Sequence, residues 1–303
     1  YKALSEKVAD AYCSVFTDGA GKLKEEFQTG YVLPIYLDMF PDAATKARAA
    51  DNLDALVRKN DYCIGTGFPG TPYILFALAD NGHADTAYKM LLNTKCPSWL
   101  YQVKLGATTI WERWDGLNEQ GECPIGDDGT DIMISYNHYA SGAVGDFLYR
   151  RTAGIEEIQP GYRRFRVRPL PGGDLTWAES HTETPYGKIA LRWERNGSDF
   201  TLDLTVPMGT ECDLTLPDGS SKTEVKDASG STGTVKTDKH GQTTAETTLS
   251  SKAAEDAKKT GEAVKAPVEV EASRDSNTAP TVKVELPKNA GETAVEIPVS
   301  NVK

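Results

Sequence analysis

The sequence contains no apolar run that approaches the ~18 residues a membrane-spanning helix needs, so no membrane contact is predicted. It also lacks an excess of positive charge, because 33 Lys and Arg stand against 44 Asp and Glu, giving a net charge of -11. Affinity for nucleic acid comes from clustered cations, so a nucleic-acid partner is excluded. The acidic balance does not identify a partner, and it is compatible with an uncharged substrate.

Cysteine pairs with the spacing of a metal or redox site are absent. The five cysteines form no C-x-x-C motif and have no histidine at ligand spacing: Cys13, Cys63, Cys96, Cys123 and Cys212. An odd number of this kind indicates free thiols rather than a disulfide framework or a zinc site. This pattern favours a reducing compartment, and we expect a cytoplasmic protein. No signal peptide precedes the helical pattern that starts at Tyr1, and the chain is expected to be cut from a longer one.

Aromatic residues are absent after Leu216, in a segment rich in Lys, Glu, Asp, Ser and Thr. Its part from Ser220 to Lys265 can bury little apolar surface, which predicts a linker or disorder. Alternating runs at Val268–Val270, Val282–Leu286 and Val295–Ile297 predict short strands. We therefore expect residues 220–303 to form a polar, partly disordered tail.

The first half of the chain has helical apolar spacing, and one face of the first helix carries Leu4, Val8, Ala11, Tyr12 and Val15. Further helices are predicted at Gly30–Phe40, Asp42–Lys59, Pro72–Asn81, His83–Leu92 and His138–Ala153. Thr71-Pro72 is typical of a helix start, and Asn81-Gly82 of a helix end. Successive helices with short links indicate a helical bundle or toroid, which we place at residues 1–157.

The apolar period changes to two after Tyr162. The runs Phe165–Arg168, Ile189–Trp193 and Phe200–Leu204 alternate, with Pro, Gly and Asn-Gly turns between them. This is the pattern of an antiparallel β-sandwich, predicted for residues 158–219.

The segment Thr108–Gly116 (TTIWERWDG) carries the clearest chemistry, because it places Glu112 between Trp111 and Trp114. Indole faces stack on the apolar face of a sugar ring, and paired carboxylates carry out glycosidic hydrolysis. Arg113 or another nearby cation is expected to hold Glu112 ionised. The alternative interpretation is that both tryptophans are core residues and that Glu112 is a surface or helix-capping acid.

The WERWDG run resembles a signature of the bacterial α-L-rhamnosidases of glycoside hydrolase family 78. Four further stretches resemble the family in the same order: Gly65–Tyr73, Pro97–Thr109, Ser135–Gly145 and Arg168–Gly187. The resemblance implies an α+β multidomain protein, with a partial (α/α)6 barrel (a helical toroid) followed by the antiparallel β-sandwich. It also implies an inverting hydrolase that acts on terminal α-L-rhamnosyl residues of a rhamnose-containing glycoside or oligosaccharide, without a cofactor or a metal.

Site residues follow from the resemblance. Glu112 matches the general base and His138 a histidine that contacts the bound rhamnose. Trp111, Trp114 and Tyr101 are expected to face the sugar. Asn137 is expected either to contact the sugar or to cap the helix that follows, and without the resemblance His138 is more typical of a capping or core residue. Phe68 is expected to pack in the barrel, with a place at the floor of the site as the alternative.

The sequence departs from the family in two respects. No stretch of residues 1–100 resembles the acidic segment that holds the general acid, and about six helices stand where a full barrel has about twelve. The implied partner is therefore the missing N-terminal half, the chain alone is expected to be inactive, and its uncovered apolar faces predict self-association. Two alternatives remain: another (α/α)6 glycosidase, or a carbohydrate-binding fragment that does not cleave its ligand.

Overall fold

The computed structural model describes residues 1–217 except 124, 127, 128, 130, 131, 198, 208 and 209, and after them the strands 222–224, 234–237, 243–248, 264–265, 269–271, 281–285 and 294–297. Within this part, the chain divides into two units, Tyr1–Phe147 and Leu148–Lys303, whereas the sequence predicted residues 1–157 for the first domain. None of the helices in these segments combines the length and the hydropathy that a membrane crossing requires.

The first unit is helical in the residues that the structure describes. Its helices are α1 (Lys2–Phe16), α2 (Gln28–Tyr36), α3 (Ala43–Lys59), α4 (Ile74–Ala79), α5 (Ala84–Leu91), α6 (Trp99–Lys104), α7 (Tyr139–Gly142) and α8 (Val144–Phe147). Helix α3 starts where Asp42 accepts a hydrogen bond from the Thr45 amide at 2.7 Å, the contact of an N-cap. The core between α2 and α5 is fully buried at Tyr31, Leu53 and Leu78.

Helix α4 begins later than the sequence predicted. Thr71 does not cap it; the Thr71 hydroxyl contacts Thr66 Oγ1 at 2.9 Å and the Gly67 carbonyl at 3.0 Å, inside the preceding loop. The predicted stop is confirmed, because Gly82 has φ +94° and the His83 amide closes on the Leu78 carbonyl at 3.0 Å.

The single helix predicted for His138–Ala153 is wrong. The structure has the two short helices α7 and α8, followed by a π-helical turn at Leu148–Ala153. Gly142 and Gly145 lie in this stretch and lower its helix propensity by about 1 kcal/mol each relative to alanine. Apolar spacing alone did not reveal these interruptions.

Helix α1 has no buried residue. The apolar face that the sequence predicted is largely open to solvent: Leu4 is 60% exposed, Val8 52% and Val15 56%, whereas Tyr12 is half-buried. Tyr12 ties the helix to the unit through a hydrogen bond from its hydroxyl to the Gly30 carbonyl at 2.6 Å.

The second unit is built mainly of strands, which confirms the predicted change from helices to strands along the chain. Its strands are β1 (Ile155–Glu157), β2 (Arg164–Val167), β3 (Trp177–Thr184), β4 (Gly187–Asn196), β5 (Asp199–Thr205), β6 (Glu211–Thr215), β7 (Lys222–Glu224), β8 (Thr234–Thr237), β9 (Thr243–Thr248), β10 (Val264–Lys265), β11 (Glu269–Glu271), β12 (Thr281–Glu285) and β13 (Ala294–Ile297). They form sheets of six, five and two strands in the orders β1-β2-β6-β12-β9-β8, β10-β13-β5-β4-β3 and β11-β7.

Most neighbouring strands are antiparallel, as predicted, but β2–β6, β9–β12 and β10–β13 are parallel. The core is built from alternate residues of the strands, including Phe165, Leu191, Trp193, Leu202 and Leu214. Trp193 is fully buried, and its indole N–H donates to the Thr152 carbonyl at 2.8 Å.

Strands of the tail fall where alternation predicted them, since β11, β12 and β13 overlap the three predicted runs. Two of them extend the sheets of the second unit: Val284 pairs with Cys212 and Val295 with Leu204. The stretch from Ser220 to Lys265 lies outside the described residues, apart from β7 to β10.

A carboxylate held by three arginines links the π-helical turn to β1 and β2. Glu156 contacts Arg150 at 2.7 Å, Arg151 at 3.3 Å and Arg166 at 3.5 Å, and its side chain is 16% exposed. Burial alone would raise the pKa of Glu156, but the hydrogen bond from Arg150 and the three positive charges outweigh it, so the pKa lies below its usual range.

Replacement of Glu156 should change how stability depends on pH. A lowered folded-state pKa gives stability that is present above the unfolded-state value of about 4.3 and lost as the pH falls through the folded-state value. We expect Glu156→Gln to lower the free energy of unfolding by about 1–3 kcal/mol at pH 7 and by less at pH 3.5. Urea unfolding at both pH values measures this, with the exposed Glu183→Gln as the matched control. A loss that is equal at the two pH values would contradict the account.

Candidate active site

Two segments of the first unit lie side by side at Glu112. The Glu112 amide donates to the Ser135 carbonyl at 2.8 Å, and the His138 amide donates to the Ile110 carbonyl at 2.8 Å. These bonds pair Ile110–Glu112 with Ser135–His138 in antiparallel directions. The backbone pairing therefore places Glu112 and His138, the two residues with the clearest predicted roles, on adjacent segments.

The carboxylate of Glu112 is fixed by the same pairing. The Ser135 amide donates to Glu112 Oε2 at 2.8 Å, across 23 residues of sequence. Glu112 Oε1 has no hydrogen-bond partner among the residues that the structure describes, and the side chain is half-buried. One oxygen thus orients the carboxylate, while the other has lone pairs left to accept a proton donor.

Gln102, on α6, holds the backbone on both sides of Glu112. Its side chain is fully buried; Oε1 accepts from the Trp111 amide at 2.9 Å, and Nε2 donates to the Arg113 carbonyl at 3.4 Å. A buried amide side chain is stable only where its donors and acceptors find partners. Gln102 therefore defines the path of the chain through Glu112.

Trp111 is a packing residue in this structure, which favours the alternative interpretation of a core tryptophan over the predicted sugar-facing one. It is 3% exposed, and its ring meets Tyr136 edge to face with centroids 5.5 Å apart. A Cβ on Gly116 would lie 3.1 Å from this indole and 3.1 Å from Ile134, tighter than ordinary contact. The glycine of the WERWDG run thus leaves room for the buried ring.

Arg113 does not pair with Glu112. Its guanidinium instead donates to both carboxylate oxygens of Asp115, at 3.0 and 2.9 Å. This two-point contact holds the pKa of the Asp115 carboxyl below its usual range. Asp115 is therefore ionised at neutral pH.

His138 lies in a stack of three rings. Its imidazole is 4.4 Å from the Phe68 ring, with 24° between the planes, and 5.2 Å from the Tyr139 ring, with 18° between the planes. Nδ1 accepts from the Ala140 amide at 3.3 Å and caps α7. The neutral ring consequently carries its proton on Nε2, which makes Nε2 a hydrogen-bond donor.

Phe68 is not packed in the interior; it is 48% exposed beside His138. Its loop is anchored by the buried Gln28, which accepts from the Gly65 amide at 2.6 Å and donates to the Cys63 carbonyl at 3.1 Å. Gly70 is required in this loop, since a Cβ there would lie 2.9 Å from Thr29 Oγ1.

The remaining predicted site residues are less closely joined. Trp114 is half-buried, and its ring meets Trp99 edge to face at 5.5 Å. Tyr101 is half-buried on α6, and no hydrogen bond or ring contact in the described part of the chain joins it to Glu112 or His138. Asn137 is exposed and does not cap α7, because His138 holds that position.

Sequence reasoning assigned no role to Gln102 or Ser135, although both hold Glu112. Helical spacing offered a signal for Gln102, because it lies three residues after Trp99 on the buried face of α6. For Ser135 the sequence carries no such signal, since a backbone amide makes the contact and any non-proline residue supplies one.

Two family models match the chain, which they cover as far as residue 231. Residues 1–152 match the bacterial alpha-L-rhamnosidase 6 hairpin glycosidase domain, and residues 154–231 match the bacterial alpha-L-rhamnosidase C-terminal domain. The helical unit, with its half-buried carboxylate, is thus part of a six-hairpin glycosidase domain. The chain belongs to the bacterial α-L-rhamnosidase family, and the predictions of family and of fold class are confirmed.

Relatives and solved structures agree. Over 217 residues the chain is 39% identical to an alpha-L-rhamnosidase of Streptomyces avermitilis, covering 72% of this chain and 20% of the relative. A Formosa agariphila alpha-L-rhamnosidase is 36% identical over 225 residues, covering 73% and 23%. The structure of the S. avermitilis enzyme complexed with L-rhamnose is 29% identical with a TM-score of 0.72, covering 99% of this chain and 24% of that one. The Aspergillus terreus enzyme is 39% identical with a TM-score of 0.65, covering 70% and 24%. The chain spans about a quarter or less of these proteins.

The clamp made by Gln102 predicts a local effect. Gln102→Leu leaves the Trp111 amide and the Arg113 carbonyl without their partner, and we expect the free energy of unfolding to fall by about 1–3 kcal/mol. Hydrogen exchange of the Trp111 amide should accelerate more than that of amides in α3. Gln120→Leu, on an exposed turn, is the control. Unchanged protection at Trp111 would show that Gln102 does not hold this segment.

Proposed function

We propose that the chain supplies the general-base side of an inverting α-L-rhamnosidase active site, with Glu112 as the base. The observation that carries this proposal is the contact between Glu112 Oε2 and the Ser135 amide, which leaves Oε1 available. A general base in an inverting glycosidase accepts a proton from a water molecule on the face of the sugar opposite the leaving group. A carboxylate with one fixed oxygen and one open oxygen suits this task.

The general acid of the reaction is a different carboxyl group from Asp115. An acid must carry a proton at working pH, whereas the pair with Arg113 keeps Asp115 ionised. We therefore propose that the acid comes from a part of the enzyme outside these 303 residues. Inversion requires the two carboxyl groups to be roughly 6.5–9.5 Å apart, with room for water between them.

His138 is proposed to bind the rhamnosyl ring. Its Nε2 is a donor because Nδ1 is held by the Ala140 amide, so Nε2 can bond to a sugar hydroxyl. Phe68 covers one face of the imidazole and adds an exposed apolar ring next to it. This pairing of a donor with an aromatic surface supports a neutral sugar ligand, in agreement with the L-rhamnose complex of the S. avermitilis relative.

The rest of the enzyme is the partner that we propose for the exposed face of α1. Leu4, Val8 and Val15 present apolar surface that a polar solvent does not stabilise. When the rest of the enzyme is absent, a second copy of the chain can bury this apolar face. We therefore propose that the isolated chain self-associates. Cytoplasmic localisation remains part of the proposal, supported by the five cysteines, which are all free thiols.

Catalysis by Glu112 can be tested in a chimaera. Residues 1–217 replace the matching segment of the S. avermitilis alpha-L-rhamnosidase, which restores a full-length enzyme, and hydrolysis of an aryl α-L-rhamnoside is measured. We expect Glu112→Gln to lower kcat by about 10²–10⁴, because the water loses its proton acceptor. Glu119→Gln, in the exposed loop that follows, is the matched control. Equal turnover of the two variants would remove Glu112 from the mechanism.

Self-association of the isolated chain can be tested by sedimentation. We expect a mass that rises with concentration, and a double variant Leu4→Lys, Val8→Lys that stays monomeric because its face no longer gains from burial. Lys7→Gln, on the same helix, should behave as the wild type. A wild-type chain that stays monomeric up to about 1 mM, where an association free energy of about -4 kcal/mol already produces dimers, would argue against self-association.

A further inference from the structure

The five-stranded sheet of the second unit carries a groove for which the proposed catalysis has no use. Its volume is about 1130 Å³, and the outward-facing residues of β3, β4 and β5 form its floor. The register sets Glu179 beside Arg192 and Arg192 beside Asp203. Two residues further along β3, His181 pairs with Ala190 on β4. The small side chain of Ala190 leaves space above the sheet at this point.

An oriented tryptophan stands in this groove. Trp177 is 51% exposed, and the guanidinium of Arg192 lies 4.6 Å from its ring centroid. Arg192 itself is held by Glu179 at 2.8 Å and Glu194 at 2.7 Å. The guanidinium therefore positions the indole, and the exposed half of the side chain remains available to a ligand.

A cross-strand Arg–Trp pair can be simple surface packing, but the groove holds more apolar surface than that pair. Leu148 is 42% exposed and Tyr149 53% exposed, and both line it together with Trp177. Exposed apolar groups gathered in one concavity, among carboxylates that can accept hydrogen bonds, are the usual composition of a ligand site.

The charges of the groove define the class of ligand. Its cations are Lys188 and Arg192, against the acidic Asp174, Glu179 and Asp203. Arg192 is already paired with Glu179 and Glu194, and three acidic side chains line the groove against two cations, which disfavours an anionic ligand. An uncharged sugar offers an apolar C–H face to the indole and hydroxyl donors to the carboxylates.

We propose that this groove is a second, non-catalytic glycan site that takes a short uncharged oligosaccharide, with one ring stacked on Trp177 and hydroxyls bonded to Glu179. Ligand pockets of about 300–1,000 Å³ hold a drug-sized molecule, so the groove has room for two or three sugar rings. The choice of L-rhamnose as the sugar rests on the proposed function. The inference that the ligand is uncharged rests only on the charges of the groove.

Calorimetric titration of the 303-residue chain with a trisaccharide of α-linked L-rhamnose tests the site. We expect a dissociation constant on the order of 1 mM, weakened about tenfold or more by Trp177→Ala. Ala190→Tyr fills the floor while keeping Trp177 and should weaken binding as much, which guards against a folding defect in the first variant. Tyr186→Ala removes an exposed ring of the β3–β4 turn outside the groove and should leave the affinity unchanged.

The groove uses no residue of the candidate active site, so Trp177→Ala in the chimaera should leave kcat with the aryl α-L-rhamnoside unchanged. Loss of turnover in the chimaera and loss of binding here are thus separate results. The proposal is overturned by the absence of binding, by wild-type affinity in both groove variants, or by equal affinity for a trisaccharide of galacturonic acid.

Discussion

The pairing of Ile110–Glu112 with Ser135–His138 is the constraint on which the candidate site depends. It joins two segments that the sequence keeps far apart, and it uses the amide and the carboxylate of Glu112 at the same time. Gln102 holds the opposite side of the same strand-like segment from within the core. The position of Glu112 is therefore set by hydrogen bonds to backbone groups and by the buried Gln102, rather than by surface side chains.

The helices and strands could be predicted wherever a period persisted over several turns or several alternations. The prediction for His138–Ala153 failed because glycines and a π-helical turn interrupt a stretch whose apolar spacing remains regular. The sandwich was recognisable from short alternating runs, but the parallel pairs β2–β6 and β9–β12 were not, since strand direction follows from the path of the chain between strands.

At the site, the resemblance to the family supplied Glu112 and His138, and the structure supplied what surrounds them. The sequence shows that Trp111 and Trp177 are both aromatic, but only tertiary packing makes one 3% exposed and the other 51%. Arg113 has two carboxylates within reach, Glu112 and Asp115, and the choice between them depends on which way the backbone turns. Composition cannot determine which tryptophan is buried or which carboxylate pairs with Arg113, because tertiary contacts and the local path of the backbone decide both.

The division of labour between the two oxygens of Glu112 has a consequence for side-chain length. A carboxylate one methylene shorter would sit about 1.5 Å closer to its own backbone, since that is the length of one carbon–carbon bond. An aspartate could keep the hydrogen bond from the Ser135 amide, or it could place an oxygen where Glu112 Oε1 lies, but it could not do both. The position therefore distinguishes glutamate from aspartate by geometry, even though the two share the same acid group.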